Sequence, residues 1–319
     1  LSLIRNPKGF NWDFSFNASL VHNKIIKLPY NGNENNRQGG TQVFDPKTQQ
    51  VIWVGGYQEG HTMGDIYAYK QVKILSDWNE VNTMAGDYID MIAGLYGPNV
   101  SDADKKKYGL TKPIEPGDVL WADLDGNHKI DQLDRVKVGN IYPKWTGGFS
   151  TTLSYKNVSL YGRFDFALGH TILNMVAMRS LGQSVGFKNI IKEGLKTWTE
   201  ENTNTDLPKS YYDDSTNKKN IYRDTKGSDI TSVNDRSSRF YEKGDYLALR
   251  ELTLNWKLPV NWISKVGMTN ASVYITGQNL FYITGYSGSS PEAPLTYPGV
   301  DAGRYPTPRT VLVGASVSF

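Results

Sequence analysis

The sequence predicts an all-β protein that contains long antiparallel strands of a membrane-spanning barrel. In residues 10–20, FNWDFSFNASL, apolar and polar side chains alternate strictly over the whole run. Such alternation indicates a strand with one apolar face. The run is longer than the roughly five or six residues usual in soluble sheets and matches the roughly nine to eleven that cross a bilayer. Residues 309–319 repeat the pattern and end on Phe319.

The intervening elements follow from turn and periodicity signals. Lys156 and Asn157 alone separate two alternating segments, which predicts a tight hairpin. Asp77 is a predicted helix cap. The further predictions are a hairpin at 43–54, a strand at 65–74, helical segments within 77–94, 101–107 and 189–198, and strands at 149–155, 158–168, 239–258 and 271–283.

Composition excludes several classes of function. The net charge of +3, from 35 basic and 32 acidic residues, gives no field suited to nucleic acid. Cysteine is absent and there are four scattered histidines, so thiol chemistry and a zinc site are not expected. No nucleophile-elbow or phosphate-loop pattern occurs, and we predict no enzymatic activity.

Residues 123–134, DLDGNHKIDQLD, have the ligand spacing of an EF-hand-like calcium loop. Carboxylate or amide side chains occupy positions 1, 3, 5, 9 and 12, and a backbone carbonyl is expected at position 7. The predicted calcium ligands are Asp123, Asp125, Asn127, Lys129 (through its carbonyl), Asp131 and Asp134. Position 6 is His128 where glycine is usual, and Ile130 is expected to point into a core. The alternative is a metal-free cluster of turns.

Several long segments resemble SusC/RagA-type TonB-dependent outer-membrane transporters, in the order of that family. They are FNASLVHNKIIKL (16–28), EGHTMGDIYAYK (59–70), PGDVLWADLDGNHKIDQLDRVKVGNIYPKWTGGFSTTLSYKNVSL (116–160), WTEENTNTDLP (198–208), GDYLALRELTLNWKLP (244–259), SVYITGQNLFYITGYSG (272–288) and YPTPRTVLVGASVSF (305–319). The resemblance covers most of the chain. Two positions depart from the family pattern: His128 replaces a glycine, and Ser290 precedes Pro291-Glu292 where aspartate is frequent.

The resemblance implies that residues 1–319 form the C-terminal segment of a 22-stranded barrel, with the plug, the TonB box and the early strands outside this sequence. It implies outer-membrane import of oligosaccharides or oligopeptides. The implied partners are a SusD-like surface lipoprotein, TonB-ExbB-ExbD through the N-terminal part, membrane lipid and lipopolysaccharide. Apart from calcium, no cofactor is expected. The alternative is a secreted, calcium-stabilised β-sandwich that binds glycans.

In such barrels short turns face the periplasm and long loops face outward. The 156–157 turn is therefore expected inside, and loops 170–238 and 284–308 outside. The simplest topology has no membrane crossing between residues 21 and 146, and the alternative has two extra crossings, at 65–74 and 117–122. If the apolar faces contact lipid, the wet lumen wall carries Asp13, Arg163, Asp165, Arg250 and Glu251. Aromatic loop residues are the substrate-binding candidates, and Phe319 is the candidate for barrel closure and assembly. The loop candidates are Trp53, Tyr57, Tyr211, Tyr212, Tyr286 and Tyr297.

Overall fold

A computed structural model of the chain describes residues 2–6, 9–33, 36–182, 191–211, 220, 237–292 and 299–319. In chain order the strands are β1 (Ser2–Ile4), β2 (Phe10–Leu20), β3 (Thr41–Asp45), β4 (Gln50–Val54), β5 (Asp65–Tyr69), β6 (Gln71–Ile74), β7 (Ile89–Asp90), β8 (Leu95–Tyr96), β9 (Lys112–Pro113), β10 (Val119–Trp121), β11 (Lys129–Ile130), β12 (Arg135–Asn140), β13 (Trp145–Tyr155), β14 (Val158–Leu168), β15 (Thr171–Asn174), β16 (Tyr241–Lys243), β17 (Tyr246–Lys257), β18 (Asn270–Thr284), β19 (Val300–Asp301) and β20 (Thr310–Ser318). The α-helices are α1 (Trp78–Met84), α2 (Asp102–Tyr108), α3 (Met175–Gly182) and α4 (Val260–Ile263). Of the helices among these residues, none is long and apolar enough to span a bilayer.

Seven long or terminal strands form one antiparallel sheet, ordered β1-β2-β13-β14-β17-β18-β20. The strands of this sheet lie side by side in the order in which they occur along the chain. Residues 21–144, between β2 and β13, form no strand of this sheet. The open sheet confirms the predicted barrel portion. It excludes the β-sandwich, because within the described residues the apolar face stays uncovered: Phe16 is 59% exposed and Val313 is 79% exposed.

The register separates an apolar face from a polar one. One cross-strand row contains Phe16, Phe149, Phe164, Leu249 and Phe281. The adjacent row contains Ser15, Ser150, Arg163, Glu251 and Gln278. Because neighbouring side chains along a strand point to opposite faces, these rows lie on opposite sides of the sheet. The predicted alternation therefore holds across five strands.

The two ends of the sheet differ in their connections. At one end, which we call the short-loop end, β13 and β14 are joined by residues 156–157 and β17 and β18 by residues 258–269. At the other, the long-loop end, the connections span residues 21–144, 169–245 and 285–309. Since β2 and β13 pair directly over their full lengths, the 21–144 excursion leaves and re-enters at one end without crossing. This agrees with the expectation for that region.

The 21–144 excursion has a hydrophobic core of its own. Leu75, Val81, Trp121 and Ile130 are fully or almost fully buried and belong to one cluster, to which α1 and the short strands around it contribute. Helix α1 begins after Asp77, whose side chain accepts a hydrogen bond from the Glu80 N–H, as the capping prediction required. The long-loop end therefore carries a packed layer rather than a loose loop.

Two predicted long strands are interrupted. The 65–74 strand is wrong as a single element: it breaks at Lys70, so that β5 pairs with β12 and β6 pairs with β10. The 239–258 strand breaks at Gly244-Asp245, between β16 and β17. A Cβ atom at Gly244 would lie 2.3 Å from Nε2 of His170, so the close approach of that ring requires glycine.

Candidate functional site

Three carboxylates converge in the 123–134 loop. Oxygen atoms of Asp123, Asp125 and Asp134 all lie within 4.8 Å of one another. Two oxygen ligands on one calcium, each at about 2.3–2.6 Å, are separated by no more than about 5 Å. The three side chains therefore fit a common divalent cation. Asp131, a fourth predicted carboxylate ligand, is not part of this group.

Backbone hydrogen bonds hold the loop in shape. Asp123 accepts from the N–H groups of Gly126 and His128, at 2.9 and 2.7 Å. Asp134 accepts from Leu124 and Asp131, both at 2.8 Å. These donors fix the two end carboxylates before any cation is bound.

The middle of the loop follows the expected calcium-loop pattern. His128 has φ of 60°, the left-handed conformation that explains why glycine is usual there. Ile130 is fully buried, as predicted. The carbonyls of His128 and Ile130 accept hydrogen bonds from residues 89 and 91. Because carbonyl directions alternate along a strand, the Lys129 carbonyl points away from β7, as a position-7 ligand requires.

The electrostatics of the loop favour a bound cation. Burial, together with the charges of Asp131 and Asp123, raises the pKa of Asp134 to about 6, although the two N–H donors act in the opposite direction. Burial, together with the neighbouring Asp123 carboxyl, also raises the pKa of Asp125. The negative charges of clustered, buried carboxylates repel one another, which disfavours their ionised form. A bound divalent cation would stabilise the ionised form by attracting each carboxylate.

The aromatic substrate candidates do not form one cluster. Trp53 is half-buried beneath the Arg37 guanidinium, 3.7 Å from the ring centroid. Tyr57 lies in the same region and is 53% exposed. Tyr211 packs elsewhere: its hydroxyl donates to Asp118 at 2.7 Å, and burial with the nearby carboxylates raises its pKa.

Tyr286 lies in a third place and is buried. It is 6% exposed and its hydroxyl donates to Asp301 at 2.8 Å; burial and this carboxylate raise its pKa. Tyr212 and Tyr297 lie outside the described residues. Among the described candidates, Tyr57 presents the most accessible ring. Phe319 follows β20 and is 83% exposed.

Asp165 and Arg250, both expected on the polar face, belong to a charged network whose contacts the sequence did not specify. Arg250 forms a two-pronged ion pair with Asp165, with Nη2 to Oδ2 at 2.9 Å, and its Nη1 donates a hydrogen bond to the Tyr282 hydroxyl at 3.1 Å. It also pairs with Glu292, which belongs to the 285–309 connection. Strict alternation would place the adjacent residues Arg250 and Glu251 on opposite faces, but a β-bulge between Leu249 and Glu251 places both on the polar face.

A second contact fixes the same connection. The carbonyl of Pro291 lies 3.2 Å from Nε2 of His170, whose ring is buried. Adjacent residues Pro291 and Glu292 thus contact two separate parts of the sheet region. Residues 291–292 of the 285–309 connection are therefore held over the polar face at the long-loop end.

Known proteins with related sequences carry one family name. A TonB-dependent receptor, P3, of Formosa agariphila is 30% identical over 97% of this chain and 27% of its own length. Receptor P26 of the same organism is 25% identical, over 97% of this chain and 27% of its length. The TonB-dependent receptor SusC of Bacteroides thetaiotaomicron is 24% identical over 98% of this chain and 25% of its length. The chain is homologous to TonB-dependent receptors of the SusC/RagA type. No family model matches it.

Solved structures support the same fold. A chain of the RagAB peptide transporter superposes with a TM-score of 0.62 at 20% identity, covering all of this chain and 28% of the other. The RagAB peptide importer in its closed-closed state gives 0.60 at 21% identity, again over all of this chain and 28% of that one. This chain thus spans roughly a quarter of the length of its relatives. The relatives are named as receptors, importers and transporters, in agreement with the prediction of no enzymatic activity.

Proposed function

We propose that the chain is part of the transport barrel of a TonB-energised nutrient importer in the outer membrane. The observation that carries this proposal is the two-faced sheet: an uncovered apolar face across five long strands, backed by a row of serine, arginine, glutamate and glutamine. An apolar face fits lipid and a polar face fits an aqueous lumen. The short-loop end then faces the periplasm and the long-loop end faces outward.

The remaining barrel strands complete the proposal. Within the described residues, β1 and β20 each pair on one side only. A lipid-exposed sheet edge has no water to satisfy its backbone groups. We therefore assign residues 1–319 to the C-terminal segment of a larger barrel, which further strands of the same polypeptide close. The plug and the TonB box that contacts TonB-ExbB-ExbD are assigned to that remainder.

The proposed partner is a SusD-like lipoprotein, and the proposed cargo is an oligopeptide or oligosaccharide. The packed 21–144 layer at the outward end offers a broad surface for such a partner. The similarity to SusC and to the RagAB peptide transporter supports this assignment, since the names of the RagAB structures describe a peptide cargo. The lumen network around Arg250 suits a cargo with polar or charged groups.

Fractionation and uptake test the proposal. The complete polypeptide should sediment with outer membranes, need detergent for extraction, and migrate anomalously on unheated gels, as folded barrels do. Cells that lack it should lose growth on one class of oligopeptide or oligosaccharide, and the same loss should follow removal of TonB. A protein that is soluble without detergent would refute the barrel assignment.

We further propose that the 123–134 loop binds calcium and stiffens the outward layer. Asp123, Asp125 and Asp134 would supply carboxylate oxygens, joined by Asn127 and the Lys129 carbonyl, and Asp131 at position 9 would act through a water molecule. The convergence of three carboxylates supports the proposal. Calcium titration of the complete protein tests it, with the Asp123→Asn variant expected to lose the binding and the Asp87→Asn variant to keep it. Equal binding by both variants would refute it.

A further inference from the structure

A row of exposed apolar side chains marks the short-loop end of the sheet. Tyr155, Val158 and Trp256 are cross-strand partners in one register row. Their exposed fractions are 54%, 43% and 39%. Tyr155 and Val158 lie six positions from Phe149 and Phe164, which places them on the apolar face, and Trp256 shares that face as the cross-strand partner of Val158.

A helical connection adds to this row. Helix α4 and the 3₁₀ turn Ser264–Val266 lie between β17 and β18. The Trp262 ring packs edge-on against Trp256 with centroids 6.1 Å apart, which places it on the apolar side of the sheet. Trp262 is nevertheless 61% exposed. The connection therefore extends the apolar face beyond the end of the strands instead of covering the polar face.

The helical connection is firmly seated. Ile263 is only 4% exposed, and its carbonyl accepts a hydrogen bond from the Met268 N–H at 3.2 Å. On the opposite side of the turn, Val260 and Val266 are 66% and 63% exposed. Ile263 thus fixes the helical connection to the sheet while Val260 and Val266 remain exposed. Apolar side chains that are exposed on a fixed element indicate a surface that contacts a non-aqueous phase.

Two lysines border this surface. Nζ of Lys156 lies 5.2 Å from the centroid of the Tyr155 ring, so its charge lies beside the apolar row. Lys265 follows Trp262 by three residues in a continuous helical segment, and residues at that spacing are neighbours on a helix surface. In the sequence, residues 150–164 and 254–275 contain no aspartate or glutamate. These two segments therefore supply no carboxylate to neutralise the lysines.

We propose that Tyr155, Val158, Trp256 and Trp262, with Lys156 and Lys265, form a binding site for an anionic phospholipid of the periplasmic leaflet. The inference rests on the proposed membrane location. The aromatic rings lie at the depth of the interface and contact the upper acyl chain, and the two ammonium groups bind the headgroup phosphate. Charge complementarity selects an anionic headgroup. Lipopolysaccharide belongs to the other leaflet, at the long-loop end.

Native mass spectrometry of the detergent-extracted complete protein tests the site, with phosphatidylglycerol and phosphatidylcholine as probes. We expect phosphatidylglycerol to bind more tightly. Each lysine near an anionic surface contributes about fivefold in affinity. The Lys156→Gln/Lys265→Gln double variant should therefore lose on the order of 25-fold for phosphatidylglycerol and much less for phosphatidylcholine, whose quaternary ammonium group neutralises the phosphate charge.

Lys257→Gln is the matched control. This residue ends β17 next to Trp256, at the same end of the sheet, but alternation directs it to the polar face. It should keep wild-type lipid preference. Trp262→Ala should weaken both lipids. Unheated gel mobility shows whether each variant remains folded, and a misfolded double variant is replaced by the two single variants.

Two results would overturn the inference: equal phosphatidylglycerol affinity in wild type and the double variant, or an equal loss in Lys257→Gln. A protein that needs no detergent would instead overturn the barrel assignment. The two failures are therefore distinguishable.

Discussion

Acidification should weaken calcium binding at the 123–134 loop in a way that can be calculated. The pKa of Asp134 is raised to about 6 in the calcium-free protein, mainly by burial. Calcium binds the ionised carboxylate, so protons compete with it below that pH. With this pKa, about 90% of Asp134 is ionised at pH 7 and about 10% at pH 5.

The apparent calcium affinity of the complete protein should therefore fall about tenfold between pH 7 and pH 5. Because the pKa of Asp125 is raised as well, tenfold is a lower bound. Isothermal titration calorimetry at the two pH values, in detergent and at constant ionic strength, measures the change. Proton release on calcium binding, obtained by repeating the titration in buffers of different ionisation enthalpy, should rise from about 0.1 proton at pH 7 to about 0.9 at pH 5.

The Asp134→Asn variant separates proton competition from other effects of pH. It should bind calcium more weakly at pH 7 and change less between pH 7 and pH 5, because the group that titrates is gone. Asp87→Asn, an exposed site elsewhere in the same layer, should retain the tenfold dependence. A wild-type affinity that changes less than twofold would refute the reasoning.

Three further predictions concern backbone strain, close packing and the ion-pair network. His128→Gly should stabilise the loop by about 0.5–1 kcal/mol in thermal unfolding, because φ is 60° there and glycine adopts the left-handed conformation without strain. Gly126→Ala should destabilise the loop, because φ is 72° at that position. The opposite order of stabilities would contradict the strain argument. Gly244→Ala should destabilise by about 1–3 kcal/mol because its Cβ would meet the His170 ring, while Gly285→Ala, with open space around it, should be near neutral by the same measurement. Arg250→Met should free the 285–309 connection and raise its rate of cleavage by added protease about 5- to 30-fold, from a loss of about 1–2 kcal/mol, whereas Arg163→Met should not.

The long strands were predictable because their physics is local. Alternation in residues 10–20 and 309–319 requires only that one face be apolar, and the register of the sheet follows it. The capping role of Asp77 is equally local. By contrast, the break of the 65–74 segment depends on two distant partners, β10 and β12, which no feature of those ten residues specifies.

The candidate site was predictable to a similar extent. Side-chain spacing identified the convergent group of Asp123, Asp125 and Asp134, but the exclusion of Asp131 depends on how the chain turns after Ile130. Arg250 was expected on the lumen wall, but its partner Glu292 lies in a distant connection, and the bulge that brings Arg250 and Glu251 to one face is not specified by alternation. Burial of Tyr286 against Asp301 likewise arises from chain segments that meet only in the fold.

The one-sided pairing of β1 and β20 determines how mutations in this chain act. A substitution in β14 disturbs contacts with β13 and β17, which both belong to this chain, so it lowers the stability of this sheet. A substitution in β20 changes both its bond to β18 and the surface against which another strand must close. Substitutions that lose the same free energy of strand pairing should thus differ in outcome. In a central strand such as β14 they should lower the melting temperature. In the edge strand β20 they should reduce the yield of closed barrels by slowing the last step of assembly.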